Sequence, residues 1–185
     1  MALVYDIIET PIGWMGMLAS DKGLTRTTLP RPSLLESLTL LGTKDSDSHH
    51  QPRRFYRLKE LLSSYFSGRR VSFDQEQIFL DQPTSFKRTA LAACREIPYG
   101  ETRTYGWLAT RVGKASAPRA AGQCMAHNPL PIIIPCHRVI ASDGSLRGFG
   151  RGTSMLNIKQ WLLDLESSTS GRIIPNQIDH PELPN

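Results

Sequence analysis

The residues best suited to covalent chemistry stand together at Cys136-His137-Arg138, at the end of an apolar, proline-rich run that begins at Asn128. A cysteine buried in such a run is an inert, protonated thiol. An adjacent imidazole and an adjacent cation each favour the thiolate, which is the nucleophile. Neighbours in sequence often diverge in space, so the spacing leaves a second reading open, in which Cys136 is a structural cysteine. Cys94 differs, because it falls on the apolar stripe of Phe86, Ala90, Ala93 and Ile97 and reads as a small buried hydrophobe. The chain has three cysteines and no CxxC pair. That argues against a disulfide scaffold or a structural zinc site and for a reducing compartment. His49 and His50 read as loop residues rather than ligands, so no metal is expected.

Positioning Cys136 requires several helices. Phe86 to Ile97 has helical period and ends at Pro98-Tyr99-Gly100. Tyr105 to Val112 and Ala117 to about His127 form two short helices around Gly113-Lys114-Ala115-Ser116, a spacing that fits helix-turn-helix or an ordinary αα-hairpin. Ser116 is placed to cap the second helix, Pro118 is tolerated in its first turn, and Asn128-Pro129 stops it. That helix carries Arg119, Ala120, Ala121 and Gly122 in succession. One long cation among very small residues suits close approach to a groove; the alternative is that Ala121 and Gly122 permit tight helix packing.

The first eighty residues read as three strands and then a helix. Leu3 to Glu9, Trp14 to Ala19 and Leu24 to Leu29 are joined by short turns, which favours an antiparallel meander. Residues 42–53 are polar and aperiodic and read as a surface loop, and Phe55 to Phe66 as a helix ending near Gly68. The expected fold class is α+β: a small N-terminal antiparallel-sheet-plus-helix domain over 1–81, serving as structural support, and a mostly helical C-terminal domain with a helix-turn-helix over 82–167. The last segment, 168–185, with Pro175, Pro181 and Pro184, reads as a mobile tail.

The 185 residues have 39% hydrophobic and 21% charged content, an ordinary globular balance that excludes a disordered chain. No apolar run reaches the roughly 20 residues of a membrane span, and the N-terminus lacks a signal peptide's basic flank. The expectation is an intracellular protein, cytoplasmic, or nuclear in a eukaryotic source. Charge is uneven. Residues 1–81 hold ten Lys/Arg and ten Asp/Glu, residues 82–167 eleven against five, and residues 168–185 one against two. A basic segment beside a neutral one points to a polyanion met by the second alone, through Lys87, Arg88, Arg111 and Lys114 around the helix pair.

The stretch Pro135-Cys136-His137-Arg138-Val139 resembles the active-site motif of the O6-alkylguanine-DNA alkyltransferases (methylated-DNA–protein-cysteine methyltransferases). The similarity runs from about Phe86 to Glu166 and takes in Pro98-Tyr99-Gly100-Glu101-Thr102, Tyr105, Arg119-Ala120, Asn128-Pro129 and Gly148-Phe149-Gly150. It implies that Cys136 is the alkyl acceptor, that His137 takes its proton through a water, and that Glu166 orients and charges this histidine while Asn128 braces the turn. It further implies that Arg119 enters duplex DNA from the minor groove and fills the place of an extruded guanine. Tyr105 would press on the adjoining phosphate and line the base pocket. Main-chain groups at Cys136, Val139 and Gly150 would read the guanine edge, Pro131 would wall the pocket, and Gly106, Lys114, Ala120, Gly122 and Ser142 would be further DNA- or base-contacting positions. The implied partner is double-stranded DNA containing O6-alkylguanine, with O4-alkylthymine as a candidate second substrate; the protein would act as a monomer, without a cofactor.

Elementary chemistry agrees with that implication. An alkyl group on guanine O6 is out of reach inside a stacked duplex, so the base must be flipped at a cost of a few kcal/mol. The alkyl carbon then needs a soft nucleophile, and the thioether formed has no easy leaving group, which implies one turnover per chain. One departure from the family pattern is that residues 151–158 are about three residues longer than usual. The competing readings are a helix-turn-helix DNA-binding protein without alkyl transfer and a Cys-His hydrolase, which would need an oxyanion site.

Overall fold

The computed structural model describes residues 2–43, 47–147, 149 and 155–168. The expectations for Gly150, for the lengthened stretch at 151–154 and for the tail beyond 168 lie outside these residues. The chain divides into two compact units between Asp81 and Gln82.

In the first unit, β1 (Leu3–Thr10), β2 (Gly13–Ser20) and β3 (Gly23–Thr27) form the antiparallel meander. Thr10-Pro11-Ile12-Gly13 supports the first turn, with Thr10 Oγ1 donating to the Gly13 carbonyl at 2.6 Å. Helix α1 (Leu34–Leu41) begins at Ser33, whose side chain accepts from the Glu36 N–H, and ends at Gly42 in the left-handed conformation. It lies so close to β2 that a Cβ at Gly16 would sit 2.5 Å from Leu41 Cδ1. The stretch 42–53 is not wholly loop. Ser48–His50 forms β4, parallel to β1, giving the order β3-β2-β1-β4. Three polar residues carry no legible period, and a parallel partner more than forty residues upstream leaves no turn signal. Helix α2 (Tyr56–Phe66) follows and buries Leu58, Leu62, Tyr65 and Phe66, each contributing about 1.5–3 kcal/mol of hydrophobic stabilisation.

The second unit is mostly helical. Helix α3 (Ser85–Arg95), capped by Thr84, buries Ala90, Leu91, Ala93 and Cys94. Strand β5 (Arg103–Thr104) leads directly into α4 (Tyr105–Arg111), which Thr104 caps by accepting from the Trp107 N–H. A turn closed by Lys114 N–H on Ala109 O and Ala117 N–H on Lys114 O leads to α5 (Pro118–Ala126). Ser116 does not cap α5: the N-cap is Ala117, without a side-chain bond, and Pro118 begins the helix. With φ fixed and no N–H to satisfy, proline makes a side-chain cap less necessary. A 3-10 turn over Cys136–Arg138 precedes β6 (Val139–Ile140), and α6 (Leu156–Ser168) closes the unit. No described helix is long and apolar enough to cross a membrane.

Candidate active site

Two residues of sheet bring the site together. Arg103 pairs with Val139 and Thr104 with Ile140, in parallel. Since β5 is followed at once by Tyr105 and β6 is preceded at once by Cys136–Arg138, this pairing sets the start of α4 beside the Cys136 turn. Helix α6 supplies the other side, through Lys159 and Glu166.

Asn128 clips the loop that carries Cys136. Its Oδ1 accepts from the Leu130 N–H at 3.0 Å, and its Nδ2 donates to Ile134 O at 2.8 Å and to Cys136 Sγ at 3.1 Å. Within the loop Ile132 has φ 75°, where a β-branched residue is strained by about 1–3 kcal/mol. The bonds from Asn128 and from Ile134 N–H to Leu130 O hold it there.

Cys136 and His137 are buried, as are Pro131 and Val139. Burial pushes the Cys136 thiol above its ordinary value of 9.0, opposed by the Asn128 bond, the charge of Lys159 and backbone N–H groups. Burial also pulls His137 below its ordinary value, against the hydrogen bond and charge of Glu166. The resting pair is therefore thiol and neutral imidazole. Glu166 orients His137 but does not keep it charged at rest. His137 Nε2 donates to Glu166 Oε1 at 2.8 Å, which makes Nδ1 the basic nitrogen.

Glu166 does more than hold the histidine. It accepts from Arg138 Nε at 2.8 Å, Arg138 Nη2 at 2.9 Å and the Gly100 N–H at 3.0 Å. Burial alone would raise its carboxyl, but the His137 and Arg138 bonds and charges outweigh this and hold it well below the carboxylate range. Arg138 also donates to Ile97 O at 2.7 Å. The expectation that Arg138 favours the thiolate is thus corrected: its charge is committed to Glu166, and the cation acting on Cys136 is Lys159.

Lys159 was not singled out by the sequence reading. It is fully buried, and its Nζ donates to Val139 O at 2.6 Å and Arg147 O at 3.1 Å and lies 3.4 Å from the Tyr105 hydroxyl. Burial lowers it to about 8. The signal was present: Lys159 lies three and seven residues before Leu162 and Glu166, so a cation sits on the buried stripe of α6. The Tyr105 hydroxyl donates to Arg147 O, and burial pushes it up to about 12, so it remains a neutral phenol.

The remaining residues lie outward. Arg119, Ala120, Lys114, Gly106 and Ser142 are exposed, and Gly122 is half-buried beside the Tyr105 ring. Ala121 is buried in the core, as the packing alternative expected. A Cβ at Gly122 would meet that ring at 3.7 Å, an ordinary contact, so no packing against the described residues demands glycine there. Among the described residues no cluster of three or more His, Cys, Asp or Glu could hold a metal.

The second unit thus sets a helix-turn-helix beside a buried cysteine with a carboxylate–histidine pair behind it. Residues 85–168 match the family model of the 6-O-methylguanine DNA methyltransferase DNA-binding domain. The methylated-DNA–protein-cysteine methyltransferase of Methanosarcina barkeri is 40% identical over 170 residues, which span 90% of this chain and 98% of that one. The crystal structure of Mycobacterium tuberculosis O6-methylguanine methyltransferase superposes with a TM-score of 0.75 at 35% identity, covering 91% of this chain and 95% of that one. Mycobacterium tuberculosis OGT in complex with DNA gives 0.74 at 36% identity, over 90% and 94%. The chain belongs to the methylated-DNA–protein-cysteine methyltransferase family, and its α+β fold is that of the solved members.

Proposed function

We propose that this chain repairs O6-alkylguanine in double-stranded DNA by moving the alkyl group to Cys136 in a single, irreversible turnover. The observation that carries the reading is the buried relay in which Glu166 fixes the His137 tautomer while Asn128 donates to Cys136 Sγ. In the step itself, the Cys136 proton passes to His137 Nδ1. The S–C bond forms as the C–O6 bond breaks, and guanine leaves with that electron pair and takes up a proton. The imidazolium formed is stabilised by the Glu166 carboxylate, an interaction stronger during reaction than at rest.

Residues 82–167 form the DNA-binding and acceptor domain in this reading, with 1–81 as its structural support. Arg119, exposed on α5, reaches in from the minor groove and replaces the flipped base, and the small Ala120 and Gly122 admit the backbone beside it. Tyr105, Pro131 and the main chain at Val139 line the base pocket, while Lys114, Gly106 and Ser142 lie along the DNA. The Val139 carbonyl already accepts from Lys159, so a guanine contact uses its second lone pair. The protein acts as a monomer.

Intact-mass measurement after mixing with duplex DNA carrying O6-methylguanine tests this. One methyl group per chain is expected, mapped to Cys136, with Cys94 and Cys124 unmodified and Cys136→Ala inert. Several turnovers, or methylation of another cysteine, would refute it. DNA binding with no transfer would leave a helix-turn-helix binding protein.

A further inference from the structure

The charges of residues 1–81 cancel in total but not in place. Residues 52–70 hold six Lys/Arg against the single acid Glu60, so the rest of that segment holds four against nine. The cationic stretch wraps the outer side of α2, where a groove of about 570 Å³ is lined by Arg53, Tyr56, Lys59, Glu60, Ser64 and Arg69. Two nearby acids are already engaged: Lys59 meets the buried Asp6 at 2.9 Å, and Arg57 meets Glu76 at 3.7 Å. Among the described residues no carboxylate lies within ion-pair distance of Arg53, Arg54, Arg69 or Arg70. Arg69 is steadied by a bond from Nη2 to Ser64 Oγ at 3.3 Å.

Tyr56 gives this patch a second character. It is 67% exposed, on the outer face of a helix whose other aromatics, Tyr65 and Phe66, are buried. Glu60, which also lines the groove, stands one helical turn on from Tyr56. Scattered arginines are ordinary surface, but a groove that joins unpaired arginines to an open aromatic face has the chemistry of an unpaired strand: phosphates on the cations and a base on the ring. A duplex would satisfy the arginines and leave Tyr56 without a base to stack on, since its bases are already stacked on one another.

We propose that this groove binds a single-stranded stretch of DNA, with phosphates at Arg53 and Arg69 and a base stacked on Tyr56, as a nucleic-acid contact outside the alkyl-acceptor unit. It requires no alkyl transfer, so its failure and that of the Cys136 reading are separately visible.

The experiment uses the full chain. A dT oligonucleotide bearing 5-iododeoxyuridine is photo-crosslinked and the adducts are mapped; the peptide holding Tyr56 is expected, and crosslinks confined to residues 82–167 overturn the proposal. In parallel, Arg53→Gln with Arg69→Gln is titrated with oligo-dT against salt. Two lost phosphate contacts flatten the log–log slope by about 1.4 on a single strand. Methyl transfer from free O6-methylguanine base, unchanged in the variant, reports an intact fold. Loss of duplex binding alone would assign the arginines to duplex phosphates and overturn the single-strand assignment. So would polyglutamate competing as well as oligo-dT with no effect of Tyr56→Ala, which would mark a site for an acidic protein segment. Unchanged binding to both DNA forms would leave solvated arginines and end the proposal.

Discussion

Two regions of the 82–168 unit are built on opposite terms. Around Cys136 the ionic groups are buried and each is held by several bonds: Glu166 accepts four, and Lys159 and Arg138 reach main-chain carbonyls across the fold. On the α4–α5 face the cations Arg111, Lys114 and Arg119 are exposed, and Arg111 meets Glu96 at 3.1 Å between two well-solvated side chains. The difference fits the role proposed for each region. A proton relay works only in one geometry, so its groups are fixed before substrate arrives and the cost of burial is met by hydrogen bonds. A polyanion is met by charge that stays solvated and adaptable until contact. Perturbing the first region should therefore cost stability and chemistry together, and perturbing the second should cost DNA handling alone.

The largest effect is expected at Glu166. Glu166→Gln leaves Arg138 buried without its counter-ion, and breaking such a pair costs about 3–5 kcal/mol. Urea denaturation measures it, and a loss under about 1 kcal/mol would mean that the network is not what holds α6 to the nucleophile turn. Acid should act in the same direction. A carboxylate held below its ordinary 4.5 stabilises the fold above that value and loses the contribution as pH falls through the folded value. His137, held below 6.5, adds a loss that begins near 6.5, because the unfolded chain takes up the proton first. The wild-type stability curve should therefore fall more steeply below pH 4.5 than that of Glu166→Gln.

Lys159 probes the same region from the alkaline side. Its folded value of about 8 lies under the ordinary 10.5, so between these the unfolded chain binds more protons and stability rises with pH. The shift corresponds to roughly 3 kcal/mol. Cys94, Cys136 and Tyr105, all raised by burial, pull the other way in that range, so the quantity to measure is wild type minus Lys159→Met. That difference should climb from pH 8 to 10.5. A flat difference would show that the three hydrogen bonds, rather than burial, govern Lys159.

These two groups also mark where sequence reasoning reached and where it stopped. The helices of the second unit were legible because Pro98-Tyr99-Gly100, Pro118 and Asn128-Pro129 punctuate them; Cys136 and His137 stood out by their chemistry, and Glu166 and the bracing role of Asn128 came from the family resemblance. Arg138 was legible as a cation but not as the partner of Glu166, since sequence adjacency does not say which way a side chain turns. Lys159 was hidden because a lysine is normally solvent-facing. In the first unit, β4 escaped for want of length and period, and the arginines flanking α2 were averaged away in a neutral sum.

Arg119 tests the outer face. Arg119→Ala should change stability by no more than about 0.5 kcal/mol, as expected of an exposed side chain. It should slow methyl transfer from duplex DNA by about 10–100-fold, the scale of one to three kcal/mol of unstacking, while leaving transfer from free O6-methylguanine base near wild type. Single-turnover rates on the two substrates decide it. Equal losses on both would place Arg119 among the pocket or packing residues and erase the contrast between the two regions.

The smallest effect is expected at Lys114, in the turn between α4 and α5. It is exposed, and its backbone N–H and carbonyl close that turn on Ala109 and Ala117. The side chain therefore serves the outside, and Lys114→Gln should leave the fold as it is. If it meets one phosphate, its loss forfeits the release of one set of condensed counterions, and the log–log salt slope on duplex DNA flattens by about 0.9. That loss is blind to sequence and damage, so binding to intact and O6-methylguanine duplex should weaken by the same factor. Lys22 is the control: it stands 5.2 Å over the Phe79 ring in the first unit and does not line the α2 groove, and Lys22→Gln should not move the slope. A Lys114 effect confined to damaged DNA would make it part of base recognition, and the outer face would then share the fixed geometry of the inner one.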